Sequence, residues 1–258
     1  MKTDHNMKID KDFGLLSKVR QIHSETGGAY GSRRTSKRLR SQGHDVGRHR
    51  ARNLMKKAGV SVKRRRKFRI TTDSEHNLPV TPNLLNRNFQ VDRPDAVWCS
   101  DISYLWTIEG CLYLAVVIDL YSRKVVGWAM SSSMKASLAT EALSMACWQR
   151  KTGKGLIHHS DRGSQYAGSD YRQLLDTYGM ICSMSRKGDC WDNAVVESFF
   201  HSLKTEWTAD MIYHTRDEAR VDIIKYIEMF YNSERLHSYL GYKNPNDFEK
   251  NFILANAA

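Results

Sequence analysis

The sequence predicts an α/β fold with a mixed sheet, preceded by a small all-α region. Three observations carry this. Runs rich in β-branched and aromatic residues at 97–106, 111–120 and 124–130 are separated by short polar breaks, Glu109-Gly110 and Ser122-Arg123. That is the pattern of an antiparallel meander. Beyond it, helix-like and strand-like segments alternate, which adds strands to the same sheet. Upstream of residue 90, apolar positions instead recur with a helical period.

In chain order, Phe13, Leu15, Leu16, Val19 and Ile22 fit a first helix. Residues 31–43 fit a second, stopped by Gly43, and 46–60 a third that ends at Gly59. A helix, a glycine-containing turn and a basic helix make a helix-turn-helix pattern. In it Leu54 and Met55 pack inward, while Arg48, Arg50, Arg52, Lys56 and Lys57 are expected to face a DNA groove or its phosphates. Arg64, Arg65 and Arg66 lie in the run 63–69, read as a solvated linker that also touches phosphates. Pro79 and Pro82 extend the linker reading through 70–92. The expected division is therefore 1–62 helical and DNA-binding, 63–92 basic linker, and 93–258 α/β domain. Past the meander come a helix at 135–150, a strand at 155–160, a helix near 168–178, a strand at 180–185 and a long helix from about Asn193.

Charge supports the division. The chain has 258 residues and a net charge of +12. Residues 1–90 carry 22 Lys and Arg against 7 Asp and Glu, a balance of +15, and the remainder carries 18 against 21, a balance of −3. A polyanion-binding module joined to a near-neutral domain has this distribution. The five cysteines, Cys99, Cys111, Cys147, Cys182 and Cys190, form no Cys-x-x-Cys pair, which argues against a disulfide framework or an N-terminal zinc module. No signal peptide is evident, and the longest apolar run, Cys111 to Ile118, is too short for a bilayer. A reducing cytoplasmic compartment with no membrane contact is expected.

Three carboxylates can be placed on this frame. Asp101 falls within the first strand, on the face shared by Val97, Cys99 and Leu105. An acid inside an apolar strand is costly unless compensated. Asp161 ends the fourth strand in "HHSDRGSQY". Glu197 lies on the helix "DNAVVESFFHSLKTEW", where Val196, Phe199, Phe200, Leu203 and Trp207 form the apolar stripe. Thirty-five residues separate Asp161 from Glu197. Clustered carboxylates suit Mg²⁺, a hard cation that prefers oxygen ligands. Phosphodiester cleavage uses two such ions, about 3.5–4 Å apart, to stabilise the attacking and leaving oxygens.

The motifs "WCSDISY", "HSDRGSQY", "DNAVVESFFHSLKTE" and "YNSERLHSYLGYKNP" resemble those of insertion-sequence transposases of the DDE type, in the retroviral-integrase superfamily. The likeness is greatest to the second reading frame of the insertion-sequence-three group and runs from about residue 20 to 250. It implies a ribonuclease-H-like catalytic domain with flanking helices, and Asp101, Asp161 and Glu197 as catalytic metal ligands for two Mg²⁺ ions, with Mn²⁺ as a substitute. It implies that Lys204 contacts DNA. It further implies binding of double-stranded DNA at terminal inverted repeats, strand cleavage and strand transfer. A homo-oligomer on DNA is expected, with the upstream reading-frame product as a further partner and the bacterial nucleoid as the location.

Other residues carry plainer readings. Asp119 is expected to make turn hydrogen bonds, with Arg123 as one partner. His158 and His159 read as packed strand residues, Gln165 and Tyr166 as groove-lining or capping, and Asn193 as a helix N-cap or a neighbour of the site. For Arg235 and His237, contact with DNA and a role in closing the C-terminal helix remain open. Two rival functions also stand: a DNA-binding regulator with a ribonuclease-H-like core, and a structure-specific nuclease that only hydrolyses.

Overall fold

The computed structural model describes residues 2–62, 79–186 and 189–256, with side chains left out for 2–12 and Cys190. Strands β1 (Val97–Thr107), β2 (Gly110–Asp119) and β3 (Val125–Ser131) form the expected meander. Helix α4 (Ala136–Arg150) leads to β4 (Ile157–Ser160). Short helices α5 (Ser164–Ala167) and α6 (Ser169–Thr177) lead to β5 (Ile181–Met184). The sheet order is β3-β2-β1-β4-β5. β1–β2 and β2–β3 are antiparallel, whereas β1–β4 and β4–β5 are parallel.

Alternation along β1 divides the core in two. Trp98 turns to one face, where it joins Leu138, Ala142 and Leu143 of α4 and Tyr171 and Leu175 of α6. Val97, Cys99 and Leu105 turn to the other, against Val196, Phe199 and Phe200. Gly127 on β3 explains how closely α4 lies on the sheet. A Cβ there would stand 2.3 Å from the Ala142 carbonyl oxygen and 2.8 Å from the Ala146 nitrogen.

On the second face a 3₁₀ turn, Cys190–Asn193, opens helix α7 (Ala194–Ser202). The sequence reads as one uninterrupted helix here, but α7 continues as a π-helical segment, Leu203–Trp207. Helix α8 (Arg216–Ile224) likewise passes into a π-helical segment, Lys225–Tyr231, before the final helix α9 (Pro245–Asn256). Trp207 reaches into the groove between these elements, with ring centroids 5.4 Å from Tyr226 and 5.2 Å from Phe230.

The N-terminal helices are α1 (Lys2–Glu25), α2 (Ser32–Ser41) and α3 (Arg48–Lys57). Leu15, Val19 and Ile22 of α1 meet Ala51, Leu54 and Met55 of α3 in a buried seam. Phe13, expected on that stripe, is 74% exposed. It precedes Leu15 by two residues, or about 200° around a helix of 3.6 residues per turn, and so falls on the opposite side.

This helical unit is docked on the α/β domain. Tyr30 Oη donates to the Glu234 carbonyl at 2.9 Å and accepts from the Leu236 amide at 2.9 Å. Arg34 pairs with Glu206 at 2.9 Å. The linker reading of 79–92 also needs correction. Leu85 is buried, the Leu84 amide donates to Ser183 Oγ at 2.9 Å, and the Pro82 carbonyl accepts from the Met184 amide at 3.4 Å. The segment is a strap beside β5, whose outer edge would otherwise be bare. Among the described residues no helix is long and apolar enough to cross a membrane, and Cys99, Cys111, Cys147 and Cys182 are free thiols.

Candidate active site

Register brings two of the acids together. Ser100 and Ser160 are the last paired positions of β1 and β4. Asp101 follows Ser100 within β1 and Asp161 follows Ser160 just past the end of β4, and parallel neighbours lie about 4.8 Å apart. Asp161 Oδ1 accepts from the Gly163 amide at 2.9 Å, which holds the carboxylate at the strand end. The turn is tight. A Cβ on Gly163 would meet Asp161 Oδ1 at 3.0 Å and Gln165 Oε1 at 2.9 Å. Asp101 Oδ1 accepts from the Ile102 amide at 2.8 Å.

The third acid arrives on α7, which lies across β1. Asn193 fixes the start of that helix, since its Nδ2 donates to the Ser100 carbonyl at 3.0 Å, next to Asp101. It makes no side-chain cap. Glu197, one turn on, is exposed at the rim.

The electrostatics identify the tight pair. Burial and then the charge of Asp161 push the Asp101 carboxyl well above the ordinary range; Glu197 adds to this, while the Ile102 amide and Lys204 oppose it. Partial burial alone raises Glu197. The charge of Asp161 thus weighs more on Asp101 than that of Glu197 does. Among the described residues, no three His, Cys, Asp or Glu side chains gather closely enough to form a metal cluster. The donor chemistry nonetheless fits a hard divalent cation: the available donors are carboxylate oxygens, and a cation would relieve the repulsion between two of them.

Lys204, expected to contact DNA, packs against β1. Its Nζ donates to Ser103 Oγ at 2.6 Å and lies 5.2 Å from the Tyr104 ring centroid. Burial lowers its pKa and the charge of Asp101 raises it. The π-helical segment that starts at Leu203 changes the angular step, so straight-helix spacing misplaces this side chain. Arg48, Arg50, Arg52, Lys56 and Lys57 are all exposed on α3, with Ala51, Leu54 and Met55 beneath them. Arg64, Arg65 and Arg66 lie outside the described residues.

The plainer readings resolve individually. Asp119 is fully buried; Oδ2 accepts from the Ser122 amide and hydroxyl, both at 2.7 Å, and Oδ1 accepts from the Asp95 amide at 2.9 Å. Arg123 joins it through backbone alone, and its guanidinium goes to the Phe89 carbonyl and the Tyr239 ring. His158 and His159 are fully buried. His158 Nε2 is hydrogen-bonded to Ser100 Oγ at 2.8 Å and Tyr171 Oη at 3.0 Å, and His159 Nδ1 to Ser183 Oγ at 2.9 Å. Burial holds them down at about 3 and about 4. Tyr166 is buried with a hydroxyl that has no hydrogen-bond partner among the described residues, and Gln165 reaches the Met134 carbonyl at 3.4 Å.

Arg235 is an internal clamp, which removes the DNA-contact reading. It is 5% exposed; Nε and Nη2 donate to Glu206 at 2.7 and 2.8 Å, and Nη2 also donates to Ser202 Oγ at 2.7 Å. His237, beside it, is pushed down to about 2 by burial and by the Arg235 charge.

Asp192 carries no evident signal in the sequence. It is fully buried and accepts from Arg186 (2.7 and 2.9 Å), Arg87 (3.0 Å) and Asn83 (2.8 Å). The Arg186 guanidinium leads in holding its carboxyl far below the usual range. This cluster ties the strap to the 3₁₀ turn that opens α7. Its partners in the strap lie more than 100 residues away, beyond the reach of motif spacing.

Comparison with known proteins agrees with this architecture. A family model described as an integrase core domain matches residues 91–190, a second of the same description matches 178–245, and an HTH-like domain matches 10–68. The insertion element IS600 uncharacterized 31 kDa protein of Shigella sonnei is 45% identical over 93% of this chain and 89% of its own length. The transposase InsF for insertion sequence IS3A of Escherichia coli (strain K12) is 45% identical over 85% of this chain and 76% of its own. The transposase for insertion sequence element IS904 of Lactococcus lactis is 43% identical over 92% and 93%. Among solved structures, a simian T-cell lymphotropic virus intasome in complex with PP2A regulatory subunit B56 gamma aligns with a TM-score of 0.51 at 16% identity. That alignment covers 90% of this chain and 74% of the other, a likeness of fold.

Proposed function

The chain belongs to the insertion-sequence-three (IS3) family of transposases, and from that premise we propose how its residues divide the work. The enzyme is a DDE-type polynucleotidyl transferase with an HTH-like DNA-binding domain. Asp101, Asp161 and Glu197 are its catalytic acids and would hold two Mg²⁺ ions, or Mn²⁺ in their place. When bound, those ions activate the attacking oxygen and spread charge over the attacking and leaving oxygens. The observation that carries this reading is the shared register position of Asp101 and Asp161 beside the helix of Glu197.

The α3 cations bring terminal inverted repeats of the element to the domain. At the element end, water attacks the phosphorus as the opposite P–O3′ bond breaks. The departing oxygen takes a proton and becomes a free 3′-hydroxyl. That hydroxyl loses its proton as it attacks a target phosphodiester in line, which joins element to target and releases the target's own 3′-oxygen. Side-chain nucleophiles take no part, so no covalent protein–DNA intermediate forms. A homo-oligomer pairs two ends, the upstream reading-frame product is a further partner, and the bacterial cytoplasm is the setting.

Labelled element ends incubated with the chain and Mg²⁺ should give nicked strands and then strand-transfer products. Nicks with no joined product would favour the hydrolytic nuclease, and binding without cleavage the regulator.

A further inference from the structure

A cleft of about 410 Å³ opens between α2 and α3 on one side and α7 with its π-helical extension on the other. It is large beside the roughly 30 Å³ that one water occupies. From the N-terminal helices it is lined by Arg33, Arg34 and Arg48, and from the catalytic side by His201, Thr205 and Glu206.

Charge accounting gives the cleft its chemistry. Glu206 is the one acid among these residues, and it is already held by Arg34 at 2.9 Å and by Arg235 at 2.7 and 2.8 Å. Arg33 and Arg48 are exposed and have no partner among the described residues. Arg33 and Arg48 therefore line a cleft whose carboxylate is satisfied. Guanidinium forks match phosphate oxygens in pairs.

The position matters as much as the charge. His201 follows Glu197 by four residues, so the two share one face of α7 about 6 Å apart along the axis. Thr205 directly follows Lys204. An anion in the cleft touches the recognition helix and the catalytic helix at once.

We propose that this cleft seats a backbone phosphate of duplex DNA on its way from the α3 helix to the acid pair, with Arg33 and Arg48 as its ligands. This rests on the DNA-binding reading above and deepens it. Arg48 then acts at the joint between the modules, apart from Arg52 and Lys56, which lie outside the cleft on the same helix.

The test measures binding of a random-sequence duplex to the full chain by fluorescence anisotropy as salt is raised. Each lost phosphate contact flattens the log–log slope by about 0.9. Arg33→Ala/Arg48→Ala, which empties the one phosphate seat, should flatten it by about 0.9, so that between roughly 50 and 200 mM salt the parent loses about three- to fourfold more affinity than the variant. Arg33→Lys/Arg48→Lys should keep most of the slope, and unchanged melting curves establish that the variants fold. Thr205→Glu, which puts an acid in the cleft from the catalytic side, should weaken binding as well. An unchanged slope for the alanine pair, alongside a flattened slope for Arg52→Ala/Lys56→Ala, overturns the cleft while DNA binding by α3 stands. A parent with no salt-dependent affinity overturns both.

Discussion

Lys204 Nζ donates to Ser103 Oγ at 2.6 Å, two residues along β1 from Asp101. The helix that carries Glu197 is thereby pinned to the strand that carries its partner acid, and the cation is held where Asp101 senses it. Lys204→Ala should cost about 1.5–3 kcal/mol, the usual worth of a hydrogen bond to a charged group. That is on the order of a ten- to hundredfold fall in strand transfer. Crosslinking from position 204 to defined nucleotides tests the expected DNA contact separately: adducts at the scissile phosphate would support it, and their absence would leave Lys204 with the pinning role alone. Normal strand transfer by the alanine variant would show that the Lys204–Ser103 contact does not position Glu197.

The acid pair stores repulsion that a neutral side chain relieves. Asp101→Asn, Asp161→Asn and Glu197→Gln should each abolish cleavage and strand transfer yet leave duplex binding near the parent value. In metal-free buffer, Asp101→Asn should melt at or above the parent temperature, because the like-charge and burial costs at Asp101 disappear. Scanning fluorimetry reads this directly. A large fall in melting temperature would show that the carboxylate supports the fold.

Arg235 and Glu206 form a buried pair, and breaking such a pair by removing one partner costs about 3–5 kcal/mol. Arg235→Ala should lower the urea midpoint by a corresponding amount, and Arg235→Leu with Glu206→Leu should recover much of it. The same pair carries Arg34, so Glu206→Gln should also loosen α2. Hydrogen exchange along α2 would report it. If exchange there is unaltered, the ion pair does not secure the docking of the N-terminal helices.

Acid should destabilise the fold above the pH at which most carboxylates titrate. His158, His159 and His237 are held near 3, 4 and 2, against about 6.5 when unfolded. The unfolded chain therefore binds more protons below about pH 6.5, and stability falls as pH falls. Each histidine contributes at most about 1.4 kcal/mol per unit. Asp119, raised to about 6, takes up a proton in the folded state, and so do Asp101 and Glu197, which are also raised; together they offset part of the histidine effect. Urea midpoints should drop between pH 7 and 5, and a His158→Gln variant should show a shallower dependence. A His158→Gln profile with the parent's slope would contradict the neutral, buried histidine.

Local pattern marked most of the sheet and the candidate acids of this protein. Runs rich in β-branched and aromatic residues marked β1 to β3, helical periods marked α1 to α4, and the acids in "WCSDIS", "HSDRG" and "AVVES" stood out because carboxylates at strand ends and in apolar runs need compensation. The charge split isolated a basic helical region. Only the tertiary structure decided what meets what. Parallel register, not spacing, sets Asp101 beside Asp161. The direction of Lys204 followed from a π-helical turn that the sequence does not announce. The strap at 79–92, the Asp192 cluster and the Arg235 clamp join residues from 29 to more than 100 positions apart. Their signal is long-range complementarity of charge and shape, which appears only once the chain has closed on itself.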